Sequence, residues 1–375
     1  MKKRQSVYKI NKLLGESGIQ VNGPNSWDIQ IKPEFIDEFY YRVIHYGSLG
    51  LGESYMDGWW NCEKLDEFFT KILSAGLDNA VNSWQMIFSY LRALIFNVQT
   101  RSGSLKVARN HYNFSPKLYE SFLDPYNQYS CGYFKNTDNL NIAQENKAHL
   151  ICRKLNLSSL DNLLDIGCGW GGLAKFASEN YGCKVTGITI SEVQAEYAKK
   201  FTKGLPVKIK LMDYRDLKNE KFTKIVSVGM IEHVGNKNYK KFMNVVYKSL
   251  ADKGLFLLHT IGSLKSVINT DAWINKYIFP NSMLPSIEQI AKASEKFVTE
   301  DLHNFGTNYD KTLMAWNKNF QKKWSTVKSD YYDERFHRMW EYYLLSCAAS
   351  FRTRKNQLYQ FVFSKNLTKN YKPVR

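Results

Sequence analysis

Residues 163–174 read LLDIGCGWGGLA, an apolar run that leads into a turn rich in glycine. Gly167, Gly169 and Gly172 have the spacing G-x-G-x-x-G, which turns a strand tightly into a helix and lets a ligand approach the backbone. The motif alone is weak evidence, and it gains weight here because a strand pattern precedes it and a helix pattern follows it. These residues predict the ligand-binding corner of an α/β domain.

The end of the predicted strand indicates the kind of ligand. Asp165 stands two residues before the first glycine of the motif. A carboxylate there would repel a pyrophosphate, but it suits a ligand with an ammonium group, such as the amino acid part of S-adenosylmethionine (SAM). A dinucleotide site also needs an acid about 20 residues after the glycines, and the next strand ends in Thr189, Ile190 and Ser191 without one before Glu192. We therefore expect SAM rather than NAD.

Short apolar runs alternate with helical patterns from about residue 158 onward. We predict strands at 162–166, 184–190, 207–212, 224–228 and 255–260, and helices at 173–180, 192–201 and 239–250. This alternation predicts an α/β, doubly wound, Rossmann-like parallel sheet, and with SAM as the expected ligand we expect the fold to be of the class I SAM-dependent methyltransferase type. Its ligand should lie beyond the carboxyl ends of the strands.

The first hundred residues have a different pattern. Residues 18–32 alternate around an Asn-Gly-Pro-Asn turn and predict a hairpin, and residues 33–46, 65–75 and 82–97 have helical spacing. We expect residues 1–98 to form a small, mainly helical N-terminal domain that helps to position lipid or to form a dimer contact. Residues 99–112 are expected to be a linker, and 113–375 the catalytic domain.

Polar residues at the next two strand ends are candidates for ligand contacts. Thr189 and Gln194 could bond a ribose, and Asp213 with Tyr214 could lie at an adenine. Two simpler interpretations stay open: Ser191 and Gln194 could form a capping box for the following helix, and Asp213 an ordinary strand-end turn.

The cysteine pattern and the hydropathy exclude several classes of protein. The six cysteines are scattered without a C-x-x-C pair or a zinc spacing, so we expect free thiols in a reducing compartment and no metal. The best apolar window, 86–98, is short and contains Arg92, so we expect no membrane span. The first residues lack the apolar core of a signal peptide. A cytoplasmic protein is expected.

Longer motifs extend this interpretation. The chain contains GITIS at 187–191, DYRDL at 213–217, SVGMIEHVG at 227–235, GLFLLHTIG at 254–262 and YYLLSCAASFRTRKNQLYQFVFS at 342–364. With LDIGCGWGGLA and DPYNQYSCGYF (124–134), these strings resemble the cyclopropane synthase family, which includes cyclopropane-fatty-acyl-phospholipid synthases and the related mycolic acid cyclopropane synthases. The resemblance covers nearly the whole chain. It extends to the N-terminal region, which the mycolic acid enzymes lack.

The resemblance implies methylene transfer from SAM to a cis double bond of a phospholipid acyl chain. Positions expected to contact SAM are Tyr129, Ser130, Leu163, Leu164, Asp165, Ile166, Gly167, Cys168, Gly169, Trp170, Gly171, Thr189, Ile190, Ser191, Glu192, Val193, Gln194, Asp213, Tyr214 and Arg215. The family also binds bicarbonate, whose ligands are expected at Cys131, Glu232, His259, the backbone of Ile261, and Tyr309. Cys347 matches a position that the family identifies as an active-site cysteine, although its helical pattern with small neighbours indicates a packing role.

The chemistry explains why such residues are needed. Addition of a methyl group to an alkene forms a carbocation, so the site must exclude water, stabilise positive charge and provide a base for the added methyl. Bicarbonate and Glu232 acting directly as the base both stay open. The aromatic residues between 273 and 316 could form an acyl-chain pocket or belong to the core.

The charge has two explanations. Residues 1–100 carry 10 basic and 11 acidic side chains, whereas 101–375 carry 42 and 24, and no acid follows Glu341. We expect this excess to attract the catalytic domain to anionic phospholipids at the inner face of the cell membrane, where the protein would be peripheral.

The resemblance also implies a homodimer. Two rival classes stay open: a SAM-dependent RNA methyltransferase and a non-catalytic protein that binds anionic membranes. No nucleic-acid module is recognisable, so we expect no nucleic acid partner.

Overall fold

The computed structural model describes residues 2–77, 114–218, 220–267, 270–368 and 370–375. The helix predicted at 82–97 and the linker predicted at 99–112 lie outside these residues. No helix in the described part of the chain is both long enough and apolar enough to cross a membrane.

The N-terminal part is mainly helical. Its elements are α1 (Lys2–Glu16), β1 (Gln30–Ile31), α2 (Ile36–Tyr46), α3 (Ser48–Met56), β2 (Trp60–Asn61) and α4 (Leu65–Ser74). Two of them, α2 and α4, confirm the helices predicted at 33–46 and 65–75, and the first of these begins with a 3₁₀ turn at Pro33–Phe35. The helix α3 was not predicted, because its two glycines disfavour helix in isolation.

The hairpin predicted at 18–32 is wrong. The strand β1 pairs antiparallel with β2 instead, and inside the predicted hairpin there is one isolated parallel bridge, between Val21 and Ile29. The cause is the buried Asp28. Its carboxylate accepts the backbone N–H of Gln20 at 2.7 Å and that of Asn25 at 2.9 Å, which folds the segment around one side chain.

A seven-stranded sheet forms the centre of the remaining chain. Its strands are β3 (Asn162–Ile166), β4 (Lys184–Thr189), β5 (Val207–Leu211), β6 (Phe222–Val228), β7 (Leu250–Ser263), β8 (Val298–Asn304) and β9 (Asn356–Ser364). The spatial order is β5-β4-β3-β6-β7-β9-β8. Strands β3 to β7 are parallel and confirm the five predicted strands, whereas β9 lies antiparallel between β7 and β8. The chain order reverses between β3 and β6, so a ligand crevice is expected at their carboxyl ends.

Helices surround this sheet. They are α5 (Pro116–Phe122), α6 (Leu140–Lys154), α7 (Gly172–Tyr181), α8 (Glu192–Phe201), α9 (Asn236–Ser249), α10 (Ala272–Tyr277), α11 (Ile287–Ala293), α12 (Thr307–Val327) and α13 (Glu334–Arg352). The three helices α7, α8 and α9 confirm the predicted helices between the strands. Most of the other helices were not predicted. The helical pattern noted around Cys347 lies within α13, which begins earlier, at Glu334.

The N-terminal helices pack against α13 and α10. Tyr55 in α3 donates a hydrogen bond to Glu341 at 2.6 Å, and Arg338 donates to the Tyr55 carbonyl at 2.5 Å. Trp273 in α10 lies directly on Gly52, where a Cβ would overlap the indole ring. The two parts of the chain therefore share one apolar core.

Several of the basic residues after Glu341 are already paired. Arg352 bonds Asp310 and Asp66 at 2.9 and 2.8 Å. Arg375 bonds both oxygens of Asp301 at 2.7 Å, and Lys365 lies 3.3 Å from Asp252. These three cations contribute less to an outward field than the sequence alone indicates.

Candidate functional site

A cavity of about 270 Å³ opens at the carboxyl ends of the parallel strands. Its wall comes from the turns after β3, β4, β5 and β6, from β7, from the segment before α6 and from the segment after α10. The predicted site residues in this wall are Tyr129, Ser130, Asp165, Ile166, Gly167, Cys168, Gly169, Trp170, Thr189, Ile190, Ser191, Gln194, Asp213, Tyr214, Arg215, Glu232, His259, Ile261 and Tyr309.

The backbone conformation of the turn after β3 explains why this turn is rich in glycine. Gly167, Gly169 and Gly171 have φ values of +82°, +53° and +83°, a region that favours glycine. Gly172 begins α7, and a Cβ there would overlap the carbonyl oxygen of Tyr126 and lie 2.6 Å from Gln128 Nε2. The turn and the segment that contains Gln128 therefore approach too closely for a side chain.

Asp165 faces the cavity from the end of β3 and is almost fully buried. Burial raises the pKa of its carboxyl group to about 7, against the opposing effect of the nearby Lys147 ammonium. A bound cation would lower this pKa again and favour the carboxylate. The site is therefore suited to a ligand with an ammonium group.

Lys147 supports the cavity wall from behind, and the sequence did not reveal it. It is fully buried in α6 and donates hydrogen bonds to Gln128 Oε1 at 2.6 Å and to Ser130 Oγ at 2.8 Å. Gln144, one turn earlier, donates to the Ser130 carbonyl at 2.8 Å. Together they hold the 127–130 wall segment in place. The one signal was their spacing of three residues on a helix, which is too common to be informative.

The turn after β4 confirms part of the capping interpretation. Ser191 caps α8, because its hydroxyl oxygen accepts the backbone N–H of Gln194 at 3.3 Å. The Gln194 side chain does not complete a capping box, since its Oε1 accepts the Thr189 hydroxyl at 3.0 Å instead. Thr189 and Gln194 thus form one polar unit in the cavity wall.

At the end of β5, Asp213 acts as a turn residue and also lines the cavity. Its Oδ1 accepts the backbone N–H of Arg215 at 2.9 Å, and its Oδ2 lies 3.3 Å from the Arg215 guanidinium. The guanidinium lies over the Tyr214 ring, 5.1 Å from its centroid. Both interpretations of Asp213 are therefore compatible with the geometry.

Glu232 lies in a 3₁₀ turn after β6 and is buried. Its Oε1 accepts the backbone N–H of Ile261 at 2.7 Å. Its Oε2 is also buried and has no hydrogen-bond partner among the described residues. Burial raises the pKa of Glu232 to about 7. This carboxyl group can therefore exchange a proton near neutral pH.

His259 and Tyr309 complete this side of the cavity. Burial holds the pKa of His259 well below its usual range, so the imidazole is neutral. Its Nε2 has no hydrogen-bond partner within the part of the chain that the structure describes. Tyr309, in the first turn of α12, stacks on Phe351 at 4.5 Å, and burial raises its pKa, so it carries a phenol.

Some predicted site residues lie outside the cavity wall. Leu163 and Leu164 are buried in the core on either side of β3, and Gly171 packs behind the turn against Ala198. The other predicted site residues that do not line the cavity are Glu192, Val193, Cys131 and Cys347. Cys131 is fully buried beside Thr312, whose hydroxyl lies 3.8 Å from its sulfur. Burial raises the pKa of Cys347 to about 12, so this residue carries a thiol.

The aromatic residues divide between wall and core. Phe279 and Tyr309 line the cavity, together with Tyr343, which was not predicted. Trp273 and Trp316 are fully buried in the core. The Tyr129 hydroxyl lies 2.7 Å from the Tyr343 hydroxyl, and the Tyr129 ring stacks on Trp316. One face of the cavity is thus aromatic and supported by further aromatic rings.

The residues present fit SAM. Gly169 lines the cavity with no atom within 4 Å of an added Cβ, so a ligand can approach the turn there; Asp165 suits its ammonium group, and Thr189 with Gln194 and Asp213 supply polar groups along the same wall. Among the residues that the structure describes, no group of three or more His, Cys, Asp or Glu side chains could hold a metal ion.

Comparisons with known proteins agree with this geometry. The family model described as mycolic acid cyclopropane synthetase matches residues 99–361. The chain is 50% identical over 371 residues to the cyclopropane-fatty-acyl-phospholipid synthase of Escherichia coli (strain K12), covering 98% of this chain and 96% of that protein.

Solved structures give the same result. The cyclopropane synthase MmaA2 from Mycobacterium tuberculosis has a TM-score of 0.65 and 30% identity, and the match covers 70% of this chain and 98% of MmaA2. The mycolic acid cyclopropane synthase CmaA1, solved with SAH and CTAB, has a TM-score of 0.63, 30% identity and the same two coverages.

Proposed function

Because this chain belongs to the mycolic acid cyclopropane synthetase family, we propose that it transfers a methylene group from SAM to the cis double bond of an unsaturated phospholipid acyl chain. It is a SAM-dependent methyltransferase by fold and by its relatives. The product would be a cyclopropane fatty acyl chain within a phospholipid.

One observation carries the chemical part of the proposal. Glu232 Oε2 and His259 Nε2 are buried polar atoms without partners among the described residues, and both side chains line the cavity. Buried polar groups normally have partners, so two unpartnered atoms on side chains that line the same cavity favour a small polar ligand there. Tyr309 lies in the same wall and offers a hydroxyl.

The reaction begins with the double bond as nucleophile. Its π electrons form a bond to the methyl carbon, while the C–S bond breaks and its electrons pass to sulfur, leaving S-adenosylhomocysteine. A cation forms on the neighbouring carbon of the acyl chain. Loss of a proton from the added methyl group then supplies the electrons that close the ring.

The protein has three tasks in this reaction. The faces of Phe279, Tyr309 and Tyr343 can stabilise the cation, an effect worth about 2 kcal/mol when it is desolvated. The same rings exclude water that would trap the cation as an alcohol. Asp165 with Thr189, Gln194 and Asp213 would hold SAM, whose bound form supplies the electrophilic methyl group.

We further propose that bicarbonate accepts the proton. Bicarbonate needs donors to its oxygens and an acceptor for its hydroxyl, and His259, Tyr309 and Glu232 offer that combination. The backbone N–H of Ile261 already donates to Glu232, so its role would be to orient that carboxylate. A Glu232 pKa of about 7 also suits it to take the proton onward from bicarbonate.

The setting of the enzyme is part of the same proposal. We propose a cytoplasmic protein that associates peripherally with anionic phospholipids, through the basic excess of residues 101–375. Residues 1–98 would form a small N-terminal domain that packs on α10 and α13 through the shared apolar core and helps to position lipid or to form a dimer contact, and the protein would be a homodimer. Binding to anionic vesicles should weaken as salt is added. Binding whose strength does not change with the salt concentration would contradict the proposed electrostatic attraction.

A labelling experiment tests the reaction. The purified protein is incubated with methyl-labelled SAM, bicarbonate and vesicles of unsaturated phospholipid, and a parallel sample contains RNA instead of vesicles. We expect label in the lipid and a cyclopropane acyl chain on mass spectrometry. Label in RNA, or label in neither sample, would refute the proposal.

A further inference from the structure

A buried glutamine on β9 contacts the histidine of the site. In the sheet register, Gln360 lies directly opposite His259 on one side and opposite His303 on the other. Gln360 Nε2 is 3.1 Å from His259 Nδ1, and both side chains are almost fully buried. No step described above uses Gln360.

The hydrogen-bonding groups determine where the imidazole carries its proton. An amide nitrogen only donates, so His259 Nδ1 must accept and cannot carry hydrogen. If the Gln360 side-chain amide were flipped, its two N–H groups would lie buried where Oε1 now lies. Oε1 has no partner there in the described chain, so the N–H groups would also have none. That is the costlier arrangement, because orphaned buried N–H groups are rarer than under-satisfied carbonyl oxygens. A neutral imidazole with a bare Nδ1 is protonated at Nε2.

We propose that Gln360 is a positioning residue that fixes His259 in the tautomer protonated at Nε2, so that the cavity presents an N–H donor at His259 and a carboxylate acceptor at Glu232. This inference rests on the proposed function in taking bicarbonate as the ligand. A bicarbonate ion needs a donor for one oxygen and an acceptor for its hydroxyl. The opposite tautomer would direct the Nε2 lone pair at an anion.

The tautomer can be measured directly in the full-length protein. Histidine labelled with ¹⁵N gives separate NMR signals for bare and protonated ring nitrogens, and the His259→Asn variant identifies the signals of His259 among seven histidines. We expect a proton bonded to Nε2 and none on Nδ1. A proton on Nδ1 in the wild-type protein would overturn the proposal.

Substitution then links the tautomer to the ligand. Gln360→Glu replaces a donor by an acceptor, so the proton should move to Nδ1. The bicarbonate concentration for half-maximal turnover should rise about tenfold with an unchanged KM for SAM. Gln360→Met removes the donor without adding charge and should give a mixture of tautomers. Gln357→Glu is the matched control, because Gln357 is also buried on β9 but bonds Asn304 and Arg354.

The outcomes separate the two proposals. If Gln360→Glu moves the proton and leaves the bicarbonate dependence unchanged, the positioning role is refuted. If the control raises the bicarbonate requirement equally, the effect is merely structural and the proposal also fails. An absence of any cyclopropane product refutes the proposed reaction instead, and it leaves the NMR assignment of the His259 proton intact.

Discussion

Glu232 Oε1 accepts the backbone N–H of Ile261 at 2.7 Å, which joins the turn after β6 to strand β7. Because one carboxylate oxygen is fixed in this way, the side chain is held in the cavity wall, and the other oxygen stays buried without a further partner in the described residues. In the proposed mechanism, Oε1 would hold the position of the carboxyl group and Oε2 would exchange the proton.

The first prediction concerns this carboxylate. Glu232→Gln keeps an oxygen to accept the Ile261 N–H but removes the proton acceptor. We expect kcat to fall about 10² to 10⁴-fold, while the dissociation constant of SAM, measured by calorimetry, changes little. Glu196→Gln, at an exposed position on α8, is the control. A Glu232→Gln enzyme with more than about a tenth of normal turnover would contradict the assigned role.

The second prediction concerns pH and stability. Burial raises the pKa of Glu232 from 4.5 to about 7, so the folded state binds this proton more tightly than the unfolded chain does. The resulting contribution to the free energy of unfolding is complete below pH 4.5 and is lost as the pH rises through about 7. Relative to Glu232→Gln, the wild-type Tm should therefore fall as the pH is raised through this range. Asp165 titrates in both proteins, so its contribution cancels when the two Tm values are subtracted. A Tm difference that stays constant with pH would show that Glu232 is already ionised below this range.

The third prediction concerns the glycine turn. Gly172→Ala should push away Tyr126 and Gln128, because the new Cβ overlaps the Tyr126 carbonyl. We expect the free energy of unfolding to fall by about 1–3 kcal/mol, the usual cost of overpacking, and SAM to bind about tenfold more weakly, because the displaced segment contributes Gln128 to the cavity wall. Gly204→Ala is the control, with open space around its Cβ, a backbone penalty at φ +89° and a position outside the cavity wall. Equal losses in both variants would exclude the steric explanation.

The fourth prediction concerns the buried lysine. Lys147→Met leaves the acceptors on Gln128 and Ser130 without their donor. Urea unfolding should show a loss of about 2 kcal/mol, the typical cost of buried unsatisfied groups. Lys175→Met removes a surface pair with Glu179 and should cost less than about 1 kcal/mol. If both variants lose the same amount, Lys147 does not hold the wall segment.

The fifth prediction concerns Cys347. Its sulfur is a thiol rather than a thiolate, and the residue does not line the cavity. Cys347→Ala should keep kcat within about twofold of the wild type, because reactive cysteines need a low pKa. A loss of more than about tenfold in the labelling assay, with an unchanged Tm, would restore a chemical role for this residue.

The sequence predicted the five parallel strands well, since the central ones are apolar along most of their length and the glycine turn marks the end of β3. The antiparallel strands were harder. The β8 segment VTEDLHN is polar, because it lies at the sheet edge, whereas β9 is buried almost throughout and its largely apolar run LYQFVF could have indicated a strand.

The site divides in the same way. Asp165 and Thr189 lie at the ends of β3 and β4, and Asp213 and Glu232 follow β5 and β6. Because the carboxyl ends of parallel strands meet at one edge, the proximity of these four residues was predictable. Lys147 was not, because a lysine in a helix is normally exposed. Its burial depends on how α6 packs against the 127–130 segment, which no local pattern reports. The same holds for Gln360, whose partner is about a hundred residues away.

The contact between Gly52 and Trp273 has a genetic consequence. A side chain at position 52 cannot be accommodated while the indole lies on the α3 backbone, and α10 leads directly to the cavity residue Phe279. Gly52→Ala should therefore behave as a loss-of-function allele although residue 52 is no part of the cavity wall. Its suppressors should be smaller residues at position 273, so the two positions are expected to change together during evolution.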